Sequence, residues 1–513
     1  MNKTRKSITS FVSMLLAFLM LLTLLTSCDE KSNSVTPTVS PIATLSPEEI
    51  AAIEAEETEA ARLADFTSRF YDTYQNENFD AKNIVLTFAA ISDMHIGLYE
   101  QTAKVEKGMK FLSRRIPNGL DALLVNGDIT NHFRASNNEK YITEASDVLI
   151  NNLPENTVIF YSLGTSHDAD GFNSTTNKSG KKQREAFNKF LNDRFTIADI
   201  ETEDERVNKG YKHAVIKDYH FLTLDNENSS YSANAIKWLK DTLKEITTAE
   251  PNKPVFVMTH IPADTTLDGV LKMYPQVIYF SAHEHIPFNT PMAINQNKYT
   301  SLAIGGFAYY RQKDIGKLSL QDNNNNYEYG QGYMVEVDKN GNVRVLRLDL
   351  YNEVVLNDCW VIPSPKDDGS HLDLYKVANY KNYAKAEFAE DAQITFEVDE
   401  KNPLAPVKIT FPAAKAADGQ PIIMYNLVIK IEEGSGTTRT ERYNISSLFM
   451  KYPNGEGMPE TYTVTVNGVA PPYSYDVTVK AYNCVDKISS ALKGVLKTED
   501  FNEILSSAES AAN

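Results

Sequence analysis

The sequence predicts an α/β domain followed by a smaller all-β domain. From residue 84 to about residue 300, short apolar runs rich in β-branched residues alternate with helical patterns. From about residue 392 only alternating strands and turn residues follow. Continuous apolar strands separated by helices indicate a layered sheet with buried strands, whereas short alternating strands are typical of a sandwich. A chain of 513 residues is long enough for two or three such domains.

Residues 1–27 have the pattern of an export signal peptide. "MNKTRK" is basic, "ITSFVSMLLAFLMLLTLL" is apolar, and "LTSC" ends at Cys28. The small residues before Cys28 resemble the lipobox of bacterial lipoproteins, which implies cleavage there and a lipid on Cys28. The alternative is a transmembrane anchor, because the apolar run approaches the ~20 residues of a spanning helix. Both interpretations place the protein at the cell membrane or cell surface, facing outside the cytoplasm.

Two further segments precede the α/β domain. Residues 28–45 are rich in Ser, Thr and Pro and predict a flexible linker. Residues 46–80 predict a helical segment that Ser46 caps and Pro47 begins. We assign residues 84–370 to the α/β domain and residues 390–498 to the all-β domain.

Composition argues against a nucleic-acid-binding protein and against a protein stabilised by disulfides. The net charge of −17 argues against nucleic-acid binding, because no basic patch would offset phosphate repulsion. Cys359 and Cys484 are the cysteines that remain after Cys28, and they fall in different predicted domains. Stability is therefore expected from packing rather than from disulfides.

The α/β elements follow from local pattern. Strands are predicted at "NIVLTFAAIS", "DALLVNGD", "NTVIFYSLG", "YHFLTLDN", "KPVFVMTHIP" and "QVIYFSAHEH", and helices at "KKQREAFNKFLNDRF" and "NAIKWLKDTLKEI". "GYMVEVDKNGNVRVLRLDL" predicts a hairpin that turns at "KNGN". In the all-β domain, "VKITFP", "IIMYNLVIKIEE", "ETYTVTVNGV" and "SYDVTVKAYN" predict strands.

Polar residues of the metal-binding type occur where these apolar strands end. In α/β sheets, sites form in loops beyond the carboxyl ends of strands, so these residues are expected to share one rim. They are Asp93, His95, Asp128, His167, Asp168, His260, His283 and His285.

Each of these motifs has an ordinary structural explanation when it is taken alone. A D-x-H triplet is common, a Gly-Asp pair usually forms a turn, and only the alternation of "HEH" puts two imidazoles on one face. However, five of the nine histidines in the chain share this strand-end context. The set therefore predicts one site more strongly than its parts do.

The order of these motifs resembles that of calcineurin-like metallophosphoesterases. "SDMHIG", "NGDITNH", "LGTSHD", "VMTHIP" and "SAHEH" occur in the family's order over roughly residues 85 to 365. The resemblance implies a four-layer α/β/β/α sandwich. In the C-terminal domain, "VAPPYSYDVTVKAYN" resembles the corner of a fibronectin type III domain, with Val469, Pro471 and Tyr475 at its apolar-Pro-Tyr spacing.

The family resemblance implies two metal ions (Fe, Mn or Zn) that share Asp128. Asp93, His95 and His285 would complete one site, and His260 and His283 would belong to the other. Two such ions clamp a phosphate and acidify a bridging water, whose hydroxide attacks phosphorus. His167 would stabilise charge or protonate the leaving oxygen, and Asp168 would orient His167.

Two positions depart from the family pattern. The family's G-N-H-D is here "GTSHD", one residue longer and without the Asn that supplies an amide oxygen. Ser166 or Thr165 would have to offer a hydroxyl, or water would fill the position. Ala282 replaces the Gly of G-H-x-H, which is tolerable at a negative backbone angle.

These observations predict an exported, membrane-anchored phosphoesterase for a phosphorylated small molecule or a phosphodiester. The alternative is a degenerate phosphoesterase scaffold that acts as a cell-surface binding protein. The C-terminal domain would then bind a glycan or a protein. Arg134 and Arg311 are candidate phosphate contacts, although solvated surface charge is the favoured explanation of each. Asn131 and His132 are expected near the pocket. His213 and His220, in "KHAVIKDYHF", are expected to be structural or solvated.

Overall fold

The structure is a computed structural model, and it describes residues 77–98, 100–115, 119–131, 138–164, 167–168, 210–225, 231–309, 312–315, 318–320, 329–366, 368–399, 405–432, 436–452, 454–468, 474–485 and 487–497. Several predictions lie outside these residues. They are the signal peptide, Cys28, the linker, most of the helical segment 46–80, the helix at "KKQREAFNKFLNDRF", and Thr165, Ser166, His132, Arg134, Arg311, Val469 and Pro471. Within the described part of the chain, no helix is long and apolar enough to cross a membrane.

The six predicted strands of the α/β domain and its predicted helix at "NAIKWLKDTLKEI" are present, together with elements that were not predicted. Its described strands are β1 (Ile84–Ile91), β2 (Ala122–Asn126), β3 (Val158–Ser162), β4 (Tyr211–Ile216), β5 (Tyr219–Leu224), β6 (Val255–Met258), β7 (Val277–Ser281), β8 (Ile294–Gln296), β9 (Thr300–Ala303), β10 (Gln312–Ile315), β11 (Leu318–Leu320), β12 (Gln331–Asp338), β13 (Val343–Asp349) and β14 (Val354–Ile362). Its described α-helices are α1 (Gln101–Arg115), α2 (Asn138–Asn152), α3 (Ala233–Ala249) and α4 (Thr265–Leu271). Short 3-10 helices span Pro291–Ala293, Ser370–Leu372 and Val377–Asn382.

Two six-stranded sheets form the centre of this domain. One has the order β14-β13-β12-β1-β2-β3 and the other β4-β5-β6-β7-β9-β8. β1, β2 and β3 pair in parallel, as do β5, β6, β7 and β9, so their carboxyl ends meet at one edge of each sheet. The predicted hairpin is β12 and β13, which pair in antiparallel register through the "KNGN" turn.

Side-chain alternation along the buried strands separates the layers. In β1, Phe88 and Ala90 pack between the sheets, whereas Ala89 and Ile91 pack towards α1 and α2. Five phenylalanines from β1, β3, β5, β6 and β7 meet between the sheets: Phe88, Phe160, Phe221, Phe256 and Phe280. On the outer face of the second sheet, α3 buries Leu239 and Leu243. The predicted four-layer α/β/β/α order is therefore confirmed.

The C-terminal domain is all β, as predicted. Its strands are β15 (Ala386–Glu387), β16 (Thr395–Glu397), β17 (Val407–Pro412), β18 (Lys415–Ala416), β19 (Ile422–Glu432), β20 (Thr438–Ser446), β21 (Thr461–Val466), β22 (Ser474–Asn483) and β23 (Leu492–Lys497). β16-β17-β21 form one sheet and β20-β19-β22-β23 form another, with one shared core between them. Cys359, on β14, and Cys484, just after β22, form no disulfide with any described residue.

Candidate metal centre

The candidate ligands lie where the central strands end. Asp93 and His95 follow β1, Asp128 follows β2, and His260 follows β6. His283 and His285 follow β7, the neighbour of β6 in the second sheet. The two sheets thus bring together residues that are up to 192 positions apart in the sequence (285 − 93).

These six residues form two groups. Asp93, His95 and His285 offer ligand atoms that all lie within 4.8 Å of one another, and so do Asp128, His260 and His283. The groups are adjacent, because Nε2 of His260 lies 3.2 Å from Oδ2 of Asp128 and 4.0 Å from Oδ1 of Asp93. Two neighbouring clusters of carboxylate and imidazole are the arrangement that a pair of transition-metal ions requires.

Buried ligand atoms without partners fit bound cations. Both carboxylate oxygens of Asp93, both ring nitrogens of His95 and Nε2 of His260 are buried and make no hydrogen bond to any described residue. Such atoms would be costly to bury in a metal-free protein. Nε2 of His285 lies 2.9 Å from Oδ1 of Asp93, but this contact does not have the angles of a hydrogen bond. The donor set therefore fits metal ions at this position.

Backbone carbonyls hold two of the imidazoles in place. Nδ1 of His260 lies 2.7 Å from the carbonyl oxygen of Asn126, and Nδ1 of His285 lies 2.5 Å from that of Tyr309. Each carbonyl can accept a hydrogen bond from Nδ1–H, which leaves Nε2 as the atom that would bind a metal. Sequence reasoning missed both carbonyls, since a backbone acceptor leaves no signature in the residue type.

The backbone at the site is held in an unusual conformation. Asp93, His95, Asp128, His283 and His285 all have positive φ angles, between 45° and 66°. Non-glycine residues rarely adopt this region, and they do so mainly where the surrounding structure over-determines them. Hydrogen bonds between the loops that follow β1 and β2 provide that constraint: the N–H of Asp93 donates to Gly127 O and that of His95 donates to Asp128 O, each at 3.0 Å.

At Asp93 and His95 the surroundings favour the protonation states in which these residues bind metal ions, a charged carboxylate and a neutral imidazole. Burial would raise the pKa of Asp93, but His285 and His260 outweigh this effect and lower it, so the carboxylate is charged. Burial lowers the pKa of His95 to about 3, so its ring is neutral. For His260, burial would lower the pKa, but the Asp128 and Asp93 carboxylates raise it to about 10. At His260 a cation would therefore replace a proton.

His167 and Asp168 lie beside the first group, but their relationship differs from the prediction. The ring of His167 packs edge-on against His95, with centroids 4.6 Å apart. Its Nδ1 lies 2.5 Å from the carbonyl oxygen of Asn131. The two oxygens of Asp168 accept hydrogen bonds from the backbone N–H groups of Thr130 and Gly164, at 2.9 and 2.8 Å.

The prediction that Asp168 orients His167 is therefore corrected. Asp168 anchors two loop backbones, whereas the Asn131 carbonyl is the contact that orients the imidazole. The physical reason is that two buried backbone N–H groups need acceptors, and a buried carboxylate satisfies both. Burial and the nearby Asp128 carboxylate raise the pKa of Asp168 to about 7, despite these two hydrogen bonds.

Tyr309 is a further residue at this site that sequence reasoning did not single out. Its ring stacks on His285 and on His95, with centroid distances of 4.4 and 5.1 Å. The ring is half-buried, so it covers the first group while keeping one part exposed. Nothing in the sequence around Tyr309 indicated that its ring would stack on the imidazoles.

The remaining histidines considered in the sequence lie in the hairpin of β4 and β5. Nε2 of His213 lies 2.8 Å from Nδ1 of His220, whose Nε2 lies 3.4 Å from Glu250. Burial lowers the pKa of both histidines. They belong to neither candidate metal group.

Comparison with known proteins gives a family match for part of this domain. Residues 86–287 match the sequence model of the calcineurin-like phosphoesterase family. No curated protein matches the chain. Among solved structures, the chain is similar to the purple acid phosphatase PPD1 from yellow lupin (Lupinus luteus) seeds, with 11% identity, a TM-score of 0.40, and coverage of 55% of this chain and 54% of that one. It is also similar to PhoD, with 9% identity, a TM-score of 0.32, and coverage of 51% and 65%.

Proposed function

We propose that this protein, which carries a metal-dependent calcineurin-like phosphoesterase domain, hydrolyses a phosphomonoester or phosphodiester outside the cytoplasm. The observation that carries the proposal is the pair of adjacent Asp/His groups, in which both carboxylate oxygens of Asp93, both ring nitrogens of His95 and Nε2 of His260 are buried without a hydrogen bond to any described residue. Two metal ions held by such a pair would bind a phosphate group and activate a water.

The six residues would divide between two ions. Asp93, His95 and His285 would hold one, and His260 and His283 would hold the other, with Asp128 shared between them. When bound, two such ions neutralise phosphate charge and lower the pKa of a water so that it can act as a nucleophile. Iron, manganese and zinc all suit carboxylate and imidazole ligands. Ser166, which would complete the second ion's ligands, lies outside the described residues.

The chain's own groups would then position and protonate the substrate. The Asn131 carbonyl fixes Nδ1 of His167, so Nε2 would be the atom that donates a proton to the leaving oxygen or a hydrogen bond to the phosphate. Asp168 would contribute indirectly, by tying the Thr130 backbone to that of Gly164. Tyr309 would shield the first ion on its exposed side.

Metal content and turnover, measured together, test this function. The purified protein should contain two metal ions per chain and hydrolyse p-nitrophenyl phosphate or its bis ester when Mn or Zn is supplied. Asp128→Asn and His283→Asn should each lower turnover by at least ~100-fold. His213→Asn, a half-buried histidine outside both groups, is the matched control and should retain both metals and full turnover.

Three results would count against the proposal. A protein with no bound metal and no turnover under any metal supply would instead match a degenerate scaffold. Ligand binding that survives Asp128→Asn would support the alternative, a phosphoesterase scaffold that acts as a cell-surface binding protein. Equal turnover in the wild type and in Asp128→Asn would show that the assigned residues are not the catalytic metal site.

We also propose that the chain is exported and lipid-anchored through Cys28, on the basis of its first 28 residues. Mass spectrometry of the membrane fraction should then find a diacylated or triacylated Cys28 at the N-terminus, and Cys28→Ala should release the protein or block its processing. An intact Met1 on the membrane-bound protein would instead support a transmembrane anchor.

We propose further that the C-terminal sandwich is fibronectin type III-like. A three-stranded sheet faces a four-stranded sheet, and the hydroxyl of Tyr475 donates to the carbonyl oxygen of Asn467 at 3.4 Å. This contact matches the tyrosine corner expected from the sequence. Tyr475→Phe should lower the free energy of unfolding of this domain by about 1 kcal/mol, and an unchanged stability would count against the assignment.

A further inference from the structure

A second cavity lies where the phosphoesterase domain meets the C-terminal sandwich. Its volume is about 790 Å³, within the ~300–1,000 Å³ range of small-molecule sites. The phosphoesterase domain contributes Asn289, Arg347 and Trp360, the connecting segment contributes Tyr380, and the sandwich contributes Asp418 and Tyr452. None of the six candidate metal ligands lines it, so it is separate from the metal centre.

The walls of this cavity are fixed to one another. Asn289 Nδ2 donates to the carbonyl oxygen of Phe449 at 3.0 Å, and Asn454 Nδ2 donates to that of Val355 at 3.0 Å. The hydroxyl of Tyr380 donates to the Pro291 carbonyl at 2.6 Å. Beside these contacts, Tyr329 of the phosphoesterase domain is buried in one apolar cluster with residues of the sandwich. The cavity is therefore preformed, which favours ligand binding because little ordering is needed.

Two buried polar atoms on the wall have no partner. Nε of Arg347 and Oδ1 of Asn289 make no hydrogen bond to any described residue. Nη1 of Arg347 donates to the carbonyl oxygen of Phe288, the residue before Asn289, at 3.0 Å. One atom is a donor and the other is an acceptor. The lining also holds donors and acceptors on Asn379, Asp418 and Gln420, a mixture that suits hydroxyl groups because a hydroxyl both donates and accepts.

The charge of the lining argues against an anionic ligand. Arg347 is paired with Asp358, and Lys376 is paired with Asp373, so neither cation is available to neutralise a phosphate. Asp418 adds a carboxylate to the wall. A neutral ligand with hydroxyl groups is thus favoured over a phosphorylated one.

Aromatic rings supply the rest of the wall. Trp360, Tyr375, Tyr380, Tyr383 and Tyr452 line the cavity. Their faces carry negative potential, and the C–H groups of a sugar ring carry partial positive charge because each carbon bonds to oxygen. Aromatic faces beside a few placed polar groups are therefore complementary to a sugar. We propose that this cavity binds a neutral saccharide.

Blocking the cavity from one position tests the proposal. Asn379 lines the cavity and Asn382 does not, although both are exposed residues of the same 3-10 helix. Asn379→Trp should fill part of the cavity, whereas Asn382→Trp is its matched control. Binding would be measured by calorimetric titration and saturation-transfer NMR with glucose, galactose, mannose, N-acetylglucosamine, cellobiose and lactose.

We expect the wild type and Asn382→Trp to bind at least one of these sugars with equal affinity. Asn379→Trp should bind it at least ~10-fold more weakly, and inorganic phosphate should not compete. Tyr452→Ala, which removes one aromatic wall without filling the cavity, should weaken the same sugar and keeps the test usable should Asn379→Trp fail to fold. Phosphoesterase turnover should be unchanged in all three variants.

Three outcomes would overturn the proposal. They are no saturable binding of any of these sugars to the wild type, equal binding by Asn379→Trp, and displacement of the bound sugar by inorganic phosphate. Because binding is measured without turnover, failure of the phosphoesterase proposal would leave this test intact.

Discussion

Gly127→Ala is expected to displace the candidate metal ligand His260, although no ligand residue is itself substituted. Gly127 has a φ angle of +75°, and a Cβ built on it would lie 2.6 Å from Nδ1 of His260 and 2.7 Å from the Cα of Gly164. Ordinary contacts of this kind are about 3.5 Å, so the neighbours would have to move by roughly 0.8 Å. His260 cannot retreat freely, since its Nδ1 is held by the Asn126 carbonyl. A displacement of this size at a catalytic group costs on the order of 100-fold in rate.

Gly119→Ala separates the collision from backbone strain. Gly119 has a φ angle of +84°, and its Cβ would meet nothing within 4 Å. Both variants should lose about 1–2 kcal/mol of stability from the left-handed conformation, but only Gly127→Ala should lose activity. Metal content, kcat/KM for p-nitrophenyl phosphate and thermal melting would be measured for both. The reasoning fails if Gly127→Ala keeps two metals and stays within about threefold of the wild type, or if Gly119→Ala is equally impaired.

Three other substitutions test separate parts of the domain. Burial lowers the pKa of Lys104 to about 7, so between about pH 7 and pH 10 the unfolded chain binds more protons than the folded one, and the free energy of unfolding should rise with pH there. In Lys104→Met this rise, measured by urea unfolding at about pH 7 and 9.5, should be smaller by roughly 2–3 kcal/mol. Arg344→Met leaves the buried carboxylate of Glu336 unpaired and should cost about 3–5 kcal/mol of unfolding free energy, most of which Glu336→Leu should restore in the double variant. Tyr309→Ala should weaken metal binding or turnover ~10-fold, because the ring packs on His285, whereas Tyr309→Phe should match the wild type; equal behaviour of the two would exclude a role for the ring.

The sequence was sufficient for elements whose signals are local. Strand ends at Asp93, Asp128 and His260 could be read from apolar runs that stop at polar residues, and the β12–β13 hairpin could be read from its turn. It gave no account of sheet order. β1 lies between β2 and β12, and Ile91 pairs with Gly332, 241 positions away (332 − 91). That pairing is decided by how the layers bury both faces, which no local pattern records.

The site was predictable in its ligands but not in its supports. Metal-binding imidazoles and carboxylates can be recognised from the residue type. The backbone carbonyls of Asn126 and Tyr309, which hold two histidines, are chemically identical to every other backbone carbonyl. The same limit explains the correction at Asp168. From sequence, the carboxylate of Asp168 is expected to accept a hydrogen bond from the His167 ring. In the structure it accepts hydrogen bonds from the backbone N–H groups of Thr130 and Gly164 instead. Backbone demand of this kind becomes visible only in three dimensions.

Removal of the metal ions should destabilise the rim of the phosphoesterase domain and leave the sandwich unchanged. Without cations, the Asp93 and Asp128 carboxylates are buried close together, both nitrogens of His95 lack partners, and five candidate ligands hold left-handed backbone. Each of these features disfavours the folded loops, and a bound cation offsets the first two. At a 100-fold excess over Kd, one metal ion stabilises the state that binds it by about 2.7 kcal/mol.

Hydrogen exchange before and after chelation would measure this coupling. Amides of residues 92–96, 127–131 and 282–286 should exchange faster in the chelated protein, because local opening then costs less. Amides of residues 427–431 in β19 and 475–479 in β22 should be unaffected, since their buried side chains pack in the core of the sandwich. Unchanged exchange in the three loops would mean that the apolar layers, rather than the metal ions, hold the ligands in their left-handed conformation. The centre would then be rigid before any metal binds, and chelated protein should regain activity as fast as metal ions diffuse to it.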